Sequence, residues 1–278
     1  MTGVSEEPIG LDGVSPEVLF QALHPDAAGP EPPVESGAER VITPRYCLLM
    51  TSMPTVSLVE MLELSPAEVP DAVDEVRDLL RARGRAQAAW SVVSSEAEKY
   101  EQLTSMGMTP YTDPPLEPRC ACMVLVQAPP GAPSPGVMVR EATELADFLA
   151  VGELAAAVFG FSGEDRDGFM KAMRVRYELH RKGQTPMSTY VALVDGQVVG
   201  EAQAEVTACG ANLSGSSVLP SARGRGVYRA LVAARWDEAV ARGRPALTVQ
   251  AGEMSRPILE RLGFRTVATK LILRDRFT

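Results

Sequence analysis

SSVLPSARGRGVYRALV, residues 216–232, decides how the chain is read. An apolar run ending at Val218, Leu219 and Pro220 predicts a strand. Gly224 and Gly226 bracket a tight turn, and Val227 onward carries helix formers. Strand, glycine turn and helix make an anion cradle. Glycine lets successive N–H groups point one way with no Cβ in the path, and a helix start adds unpaired N–H groups and a positive dipole end. Arg223, Arg225 and Arg229 add charge around the same turn, which would suit a pyrophosphate.

Downstream, Ala246 to Ala251 reads as a buried strand and Arg256-Pro257-Ile258-Leu259-Glu260-Arg261-Leu262-Gly263-Phe264 as a helix with an L-G-F ending. With these in order, Arg223-Gly224-Arg225-Gly226-Val227-Tyr228 resembles the R-x-x-G-x-G/A loop of the GNAT superfamily of N-acetyltransferases. The resemblance implies an α/β fold, a mixed α+β sheet flanked by helices. Acetyl-CoA, or another acyl-CoA, is then the co-substrate, held by Val218, Leu219, Arg223, Gly224, Arg225, Gly226, Val227, Tyr228 and Arg229. Tyr228 stands where Gly or Ala is usual, so its side chain has to point away from the phosphates.

The 278 residues suffice for two cores. No apolar run approaches a membrane span, and Met1 to Gly10 lacks the apolar core of a secretory segment, so a cytoplasmic protein with no membrane partner is expected. Four cysteines and two histidines supply a metal site poorly, and the cysteines read as reduced; no metal is expected. Net charge is −9, unevenly spread: residues 1–135 hold 8 basic and 20 acidic side chains, leaving 19 and 16 for residues 136–278. The half with the glycine turn is the basic one, which fits a polyanion there and a neutral or cationic substrate beside it. The overall field disfavours nucleic acid.

In chain order, residues 1–40 read as an extended, partly disordered arm with a short helix over Val14 to Leu23 capped by Ser15. Residues 41–128 give strand, strand, helix, strand, helix, strand. Residues 129–136, rich in proline and glycine, read as a linker, and 137–278 as the complete GNAT unit, with a hairpin at Asp195-Gly196. An echo ties the halves together. Ala82-Arg83-Gly84-Arg85, then a strand, a helix and Gly107-Met108, matches Ala241-Arg242-Gly243-Arg244, a strand, a helix and Gly263-Phe264. The first half is therefore expected to be a degenerate GNAT-like unit. No glycine lies between Gly37 and Gly84, where its phosphate loop would fall, so one CoA site per chain is expected. The helix after the glycine turn shows two apolar stripes, Val232/Trp236/Val240 and Val227/Leu231/Ala234, which suits cover by its own sheet and by another domain or a homodimer partner.

The resemblance implies direct acyl transfer in a ternary complex to the amine of a small molecule or amino acid. A backbone N–H at Val218, with Leu219 next, would stabilise the oxyanion. Glu201 and Glu205 share one strand face by period 2 and are the candidate bases, with Asn212 or Ser214 orienting a substrate or water. The family's tyrosine acid is replaced by Leu259; Ser255 and Tyr228 are the nearest hydroxyls. The alternative function is a regulatory protein that binds acetyl-CoA without turnover.

Overall fold

In a computed structural model, which describes residues 13–113, 116–131, 135–185 and 187–278, the strands join into one mixed sheet that crosses from the first half of the chain into the second. The first 12 residues of the arm and residues 132–134 of the linker lie outside that description.

The first half contributes α1 (Pro16–Leu23), α2 (Pro25–Ala28), β1 (Glu39–Ile42), β2 (Tyr46–Met50), β3 (Ser57–Met61), α3 (Val69–Arg81), β4 (Gln87–Val93), α4 (Ala97–Ser105), β5 (Thr109–Pro110) and β6 (Arg119–Leu125). The second contributes β7 (Val137–Glu141), α5 (Leu145–Phe159), α6 (Gly163–Arg181), β8 (Met187–Val194), β9 (Gln197–Val206), β10 (Ala211–Val218), α7 (Val227–Ala241), β11 (Leu247–Ala251), α8 (Arg256–Arg261) and β12 (Arg265–Arg276). The sheet order is β1-β2-β3-β4-β12-β6-β11-β10-β9-β8-β7, with β5 on β12.

Local chemistry sets most of these elements. Ser15 caps α1 by accepting from Val18 N–H at 3.4 Å. In α3, Val69, Ala72, Val73, Val76 and Leu80 recur at helical spacing and are all buried, so one face is spent on the first core with Tyr46 and Trp90. Asp195 (φ 52°) and Gly196 (φ 78°) both adopt positive φ, as a two-residue hairpin loop requires.

The two halves close each other's sheet. β6 sits between β12 and β11, antiparallel to both. β12 spends Arg265 to Leu271 on β6 and Lys270 to Arg276 on β4. The last strand of each half thus lies within or against the other half.

The echo has a structural counterpart. β3 pairs parallel with β4 over Leu58 to Glu60, and β10 pairs parallel with β11 over Ala211 to Leu213, each followed by a helix and crossover. Gly84 and Gly243 have φ of 68° and 71°; Gly107 and Gly263 both have 90°. The halves differ where β3 meets α3. There Ser65 and Glu68 form a capping box, Ser65 N–H donating to Glu68 Oε2 at 3.0 Å, so this helix start is filled by the chain's own carboxylate.

Two expectations change. The described part of the N-terminal arm keeps the expected helix but is docked: Gln21 of α1 donates to Thr248 at 2.8 Å, and Val18 and Ala22 pack on Val124 and Ala246. Both stripes of α7 are spent on its own sheet, Val232 and Trp236 with Leu213 and Leu247, and Val227 and Leu231 with Ala192 and Ala202; Val240 is exposed. Among the described residues no helix is long and apolar enough to cross a membrane, and no group of three His, Cys, Asp or Glu could hold a metal ion.

Candidate active site

β10 and β11 stay paired for only three residues and then diverge, because β10 runs on to Val218 while α7 packs beneath. At Gly215 (φ 42°) a bulge interrupts the pairing of β10 with β9 between Ser214 and Ser216. Two cavities meet this strand, one on each side of the bulge.

The first, about 790 Å³, lies over the glycine turn and reaches Ser216, Ser217 and Val218 on β10 and Ser255 and Ile258 at α8. Gly224 (φ 77°) and Gly226 (φ 79°) are left-handed, and Gly226 is the N-cap of α7. Among the described residues no acceptor takes the N–H groups of Gly224, Arg225, Val227 or Tyr228. Arg223, Arg225 and Arg229 line the same cavity; Arg225 Nη2 lies 3.7 Å from Asp195 Oδ2. This chemistry fits a pyrophosphate: unpaired amides, a helix start and guanidinium groups around one turn. The Tyr228 ring packs against the core cluster that holds Trp236 and Leu259, and burial raises its pKa.

On β10 the two named amides separate. Leu219 N–H donates to the Val199 carbonyl at 2.9 Å, so it is already taken and the expectation for Leu219 as an oxyanion donor is corrected. Antiparallel hydrogen bonding alternates, so Val218 N–H points to the opposite edge, into the divergence from β11. Ser255 Oγ donates to the Gly252 carbonyl at 3.3 Å, so its hydroxyl starts from a partner within the α8 turn.

The second cavity, about 340 Å³, lies between β9 and β10, α6, and the N-terminal segment with β1 and β2. Glu205, Gln203, Asn212 and Ser214 form one wall, Phe169, Met173, Arg176 and Leu179 a second, and Asp26, Gly29 and Arg40 a third. Burial pushes Glu205 up to about 7, with Arg176 and Arg40 pulling it down. Asp26 is raised well above the usual carboxylate range by burial and by Glu60 and Glu205.

Glu201 shares the strand face of Gln203 and Glu205, opposite Ser217 in register, but lines neither cavity. It is fully buried and neither carboxylate oxygen has a hydrogen-bond partner. Burial pushes it up to about 7; the polar groups of Ser217 and Gln203 and the guanidinium groups of Arg235 and Arg176 act in the other direction. The two glutamates are therefore not equivalent. Glu205 opens on the second cavity, and Glu201 sits sealed under Ser217.

Sequence reading missed Asp26, Arg40 and Arg176. Arg176 had a signal: Phe169, Met173 and Arg176 recur at i, i+4 and i+7 of α6, a charge set into an apolar stripe.

Residues 160–275 match the family model described as an acetyltransferase (GNAT) domain. Most of the chain is similar to solved structures of a GCN5-related N-acetyltransferase from Kribbella flavida (21% identity, 86% of this chain and 89% of that one, TM-score 0.60) and of another from Sphaerobacter thermophilus (16%, 85% and 82%, 0.61). It is also similar to a tandem GNAT protein from the clavulanic acid biosynthesis pathway (18%, 83% and 78%, 0.53). At these identities the structures speak for the fold. No curated protein sequence matches significantly. Residues 160–275 thus carry the match to the GNAT acetyltransferase domain, and the fold is shared over most of the chain with solved structures of GNAT proteins.

Proposed function

We propose that the protein is an acyl-CoA-dependent N-acetyltransferase that carries an acetyl group to the amine of a small molecule, with both substrates bound together. The observation that carries this reading is the pair of cavities that meet on β10 across the Gly215 bulge, one with an unpaired amide cradle and the other with an ionisable carboxylate. Acetyl-CoA supplies an acyl group activated as a thioester.

The chain's own residues supply the rest. The amides of Gly224, Arg225, Val227 and Tyr228 would hold the pyrophosphate, with Arg223 and Arg225 adding charge. Val218 N–H, facing the divergence of β10 from β11, is placed to stabilise negative charge developing on a carbonyl oxygen laid along the strand. Glu205 takes the proton from the acceptor ammonium; with its pKa near 7 it is ionised often enough to accept that proton at neutral pH. Glu201, which lines neither cavity, has no route to the acceptor. Ser255 and Tyr228 are the hydroxyls bordering the CoA cavity. A thiol with an ordinary pKa near ~8.5 also leaves as thiolate without a dedicated acid.

The test is thiol release from acetyl-CoA across an amine library, beside calorimetric binding of CoA. Release with at least one amine, abolished by Glu205→Gln with CoA affinity kept, is the expected result. CoA binding with no release from any amine would leave a binding protein instead.

A further inference from the structure

The second cavity holds two guanidinium groups in different states. Arg40 is spent: its Nε and Nη2 reach Glu31 Oε2 at 3.2 and 2.7 Å, and Nη1 donates to the carbonyls of Asp26 and Gly29 at 3.0 and 2.6 Å. Arg176 makes one hydrogen bond among the described residues, from Nη1 to Gln203 Oε1, and no ion pair. It is enclosed enough that desolvation drops its pKa to about 10. Glu201 and Glu205 are the carboxylates that face it, and burial drives both toward their neutral forms. A guanidinium carries five donors, so the remaining N–H groups of Arg176 have no protein acceptor among the described residues and line a half-open cavity. Leaving a partly desolvated cation in that state is costly, and a carboxylate entering the cavity would relieve it.

From these residues, and resting on the transferase reading above, we infer that the acceptor is an amino acid with an apolar side chain, its carboxylate held by Arg176 and its amine presented to Glu205. Size and lining agree. About 340 Å³ is at the lower end for small-molecule sites, and Phe169, Met173 and Leu179 offer an apolar wall beside the charged one. Charge agrees as well. Arg40 pairs with Glu31, the ligand carboxylate answers Arg176, and the ligand ammonium faces Glu205. A diamine would instead set a second cation against Arg176. A plain amine would leave Arg176 without its anion.

The experiment compares leucine, leucinamide and isopentylamine, which share the apolar body and differ in the carboxylate, by thiol release with acetyl-CoA and by calorimetry on the CoA-loaded protein. Leucine is expected to exceed both others by roughly 10²-fold in kcat/KM. Arg176→Gln should collapse that preference while CoA affinity and thermal midpoint stay the same, and Arg176→Lys should keep part of it. Equal use of the three amines would overturn this inference and leave the transferase reading standing. If CoA binds but no amine releases thiol, the transferase reading fails and calorimetry judges the site alone: tighter leucine than isopentylamine binding supports it, and equal or absent binding overturns it. The wild-type comparison holds even if an Arg176 variant fails to fold.

Discussion

Gly29 lies against Glu205 so closely that a Cβ on the glycine would stand 2.7 Å from Glu205 Oε2. The N-terminal segment thus presses directly on the candidate base. Gly29 has φ −69° and ψ 165°, which any residue adopts, so Gly29→Ala strains no dihedral; its Cβ would stand 3.2 Å from the Pro25 carbonyl and closer still to Glu205. The carboxylate must move instead. The expected result is a fall of about tenfold in kcat/KM for the acceptor with CoA affinity unchanged, because small misplacements of a catalytic group are expensive. Unaltered acceptor kinetics would show that Glu205 need not hold this position.

Glu205 should also set the pH profile. With a pKa near 7, it is deprotonated and able to act as base only as pH rises through that value. The kcat/KM for the amine is expected to climb through about pH 7. Glu205→Gln should remove that limb and lower the rate by roughly 10²-fold or more. A variant that retained the wild-type profile would move the proton transfer elsewhere.

Glu201 makes a separate prediction about stability. Its folded pKa, about 7, exceeds its ordinary value of 4.5, so the folded protein holds more protons than the unfolded chain between those values. Stability contributed by the neutral acid is full below 4.5 and declines as pH rises to about 7, by at most ~3 kcal/mol. Urea unfolding at pH 5 and pH 8 should therefore show Glu201→Gln gaining on the wild type at the higher pH. A constant difference between the two would contradict the buried, unpaired carboxyl.

Arg77 of α3 binds Asp275 of β12 through two hydrogen bonds of 3.0 and 2.8 Å, and Asp275 is almost fully buried. The C-terminal strand is thereby fixed to the first half's helix. Arg77→Ala leaves a buried carboxylate without its partner and should cost about 3 kcal/mol in urea unfolding. A loss below ~0.5 kcal/mol would mean the strand is held by its backbone ladder alone.

Much of the fold was legible because it is written locally. The Asp195-Gly196 pair, the Ser65/Glu68 capping box and the glycines at 84, 107, 243 and 263 each answer a nearby backbone demand. The Gly224 and Gly226 cradle was legible for the same reason. What was not legible is long-range. Nothing in the composition of β6 says that it inserts between β11 and β12, and the proline-rich segment after α2 reads as loose when it in fact walls a cavity. Glu201 and Glu205 share a strand face, but only the packing of α6 and the N-terminal segment decides that one is sealed and the other open. Leu219 was misread because strand alternation, fixed by the bulge at Gly215, hands its N–H to Val199.

One cradle per chain, the amides between Gly224 and Tyr228, is proposed to hold the CoA pyrophosphate. Calorimetric titration of CoA into the wild type and Gly224→Val tests it. A valine cannot hold φ near 77° without strain, so the backbone that aligns the amides would have to change. One CoA bound per chain is expected, with a loss of roughly tenfold or more in affinity for the variant. Two CoA per chain, none, or a variant that binds like the wild type would contradict it.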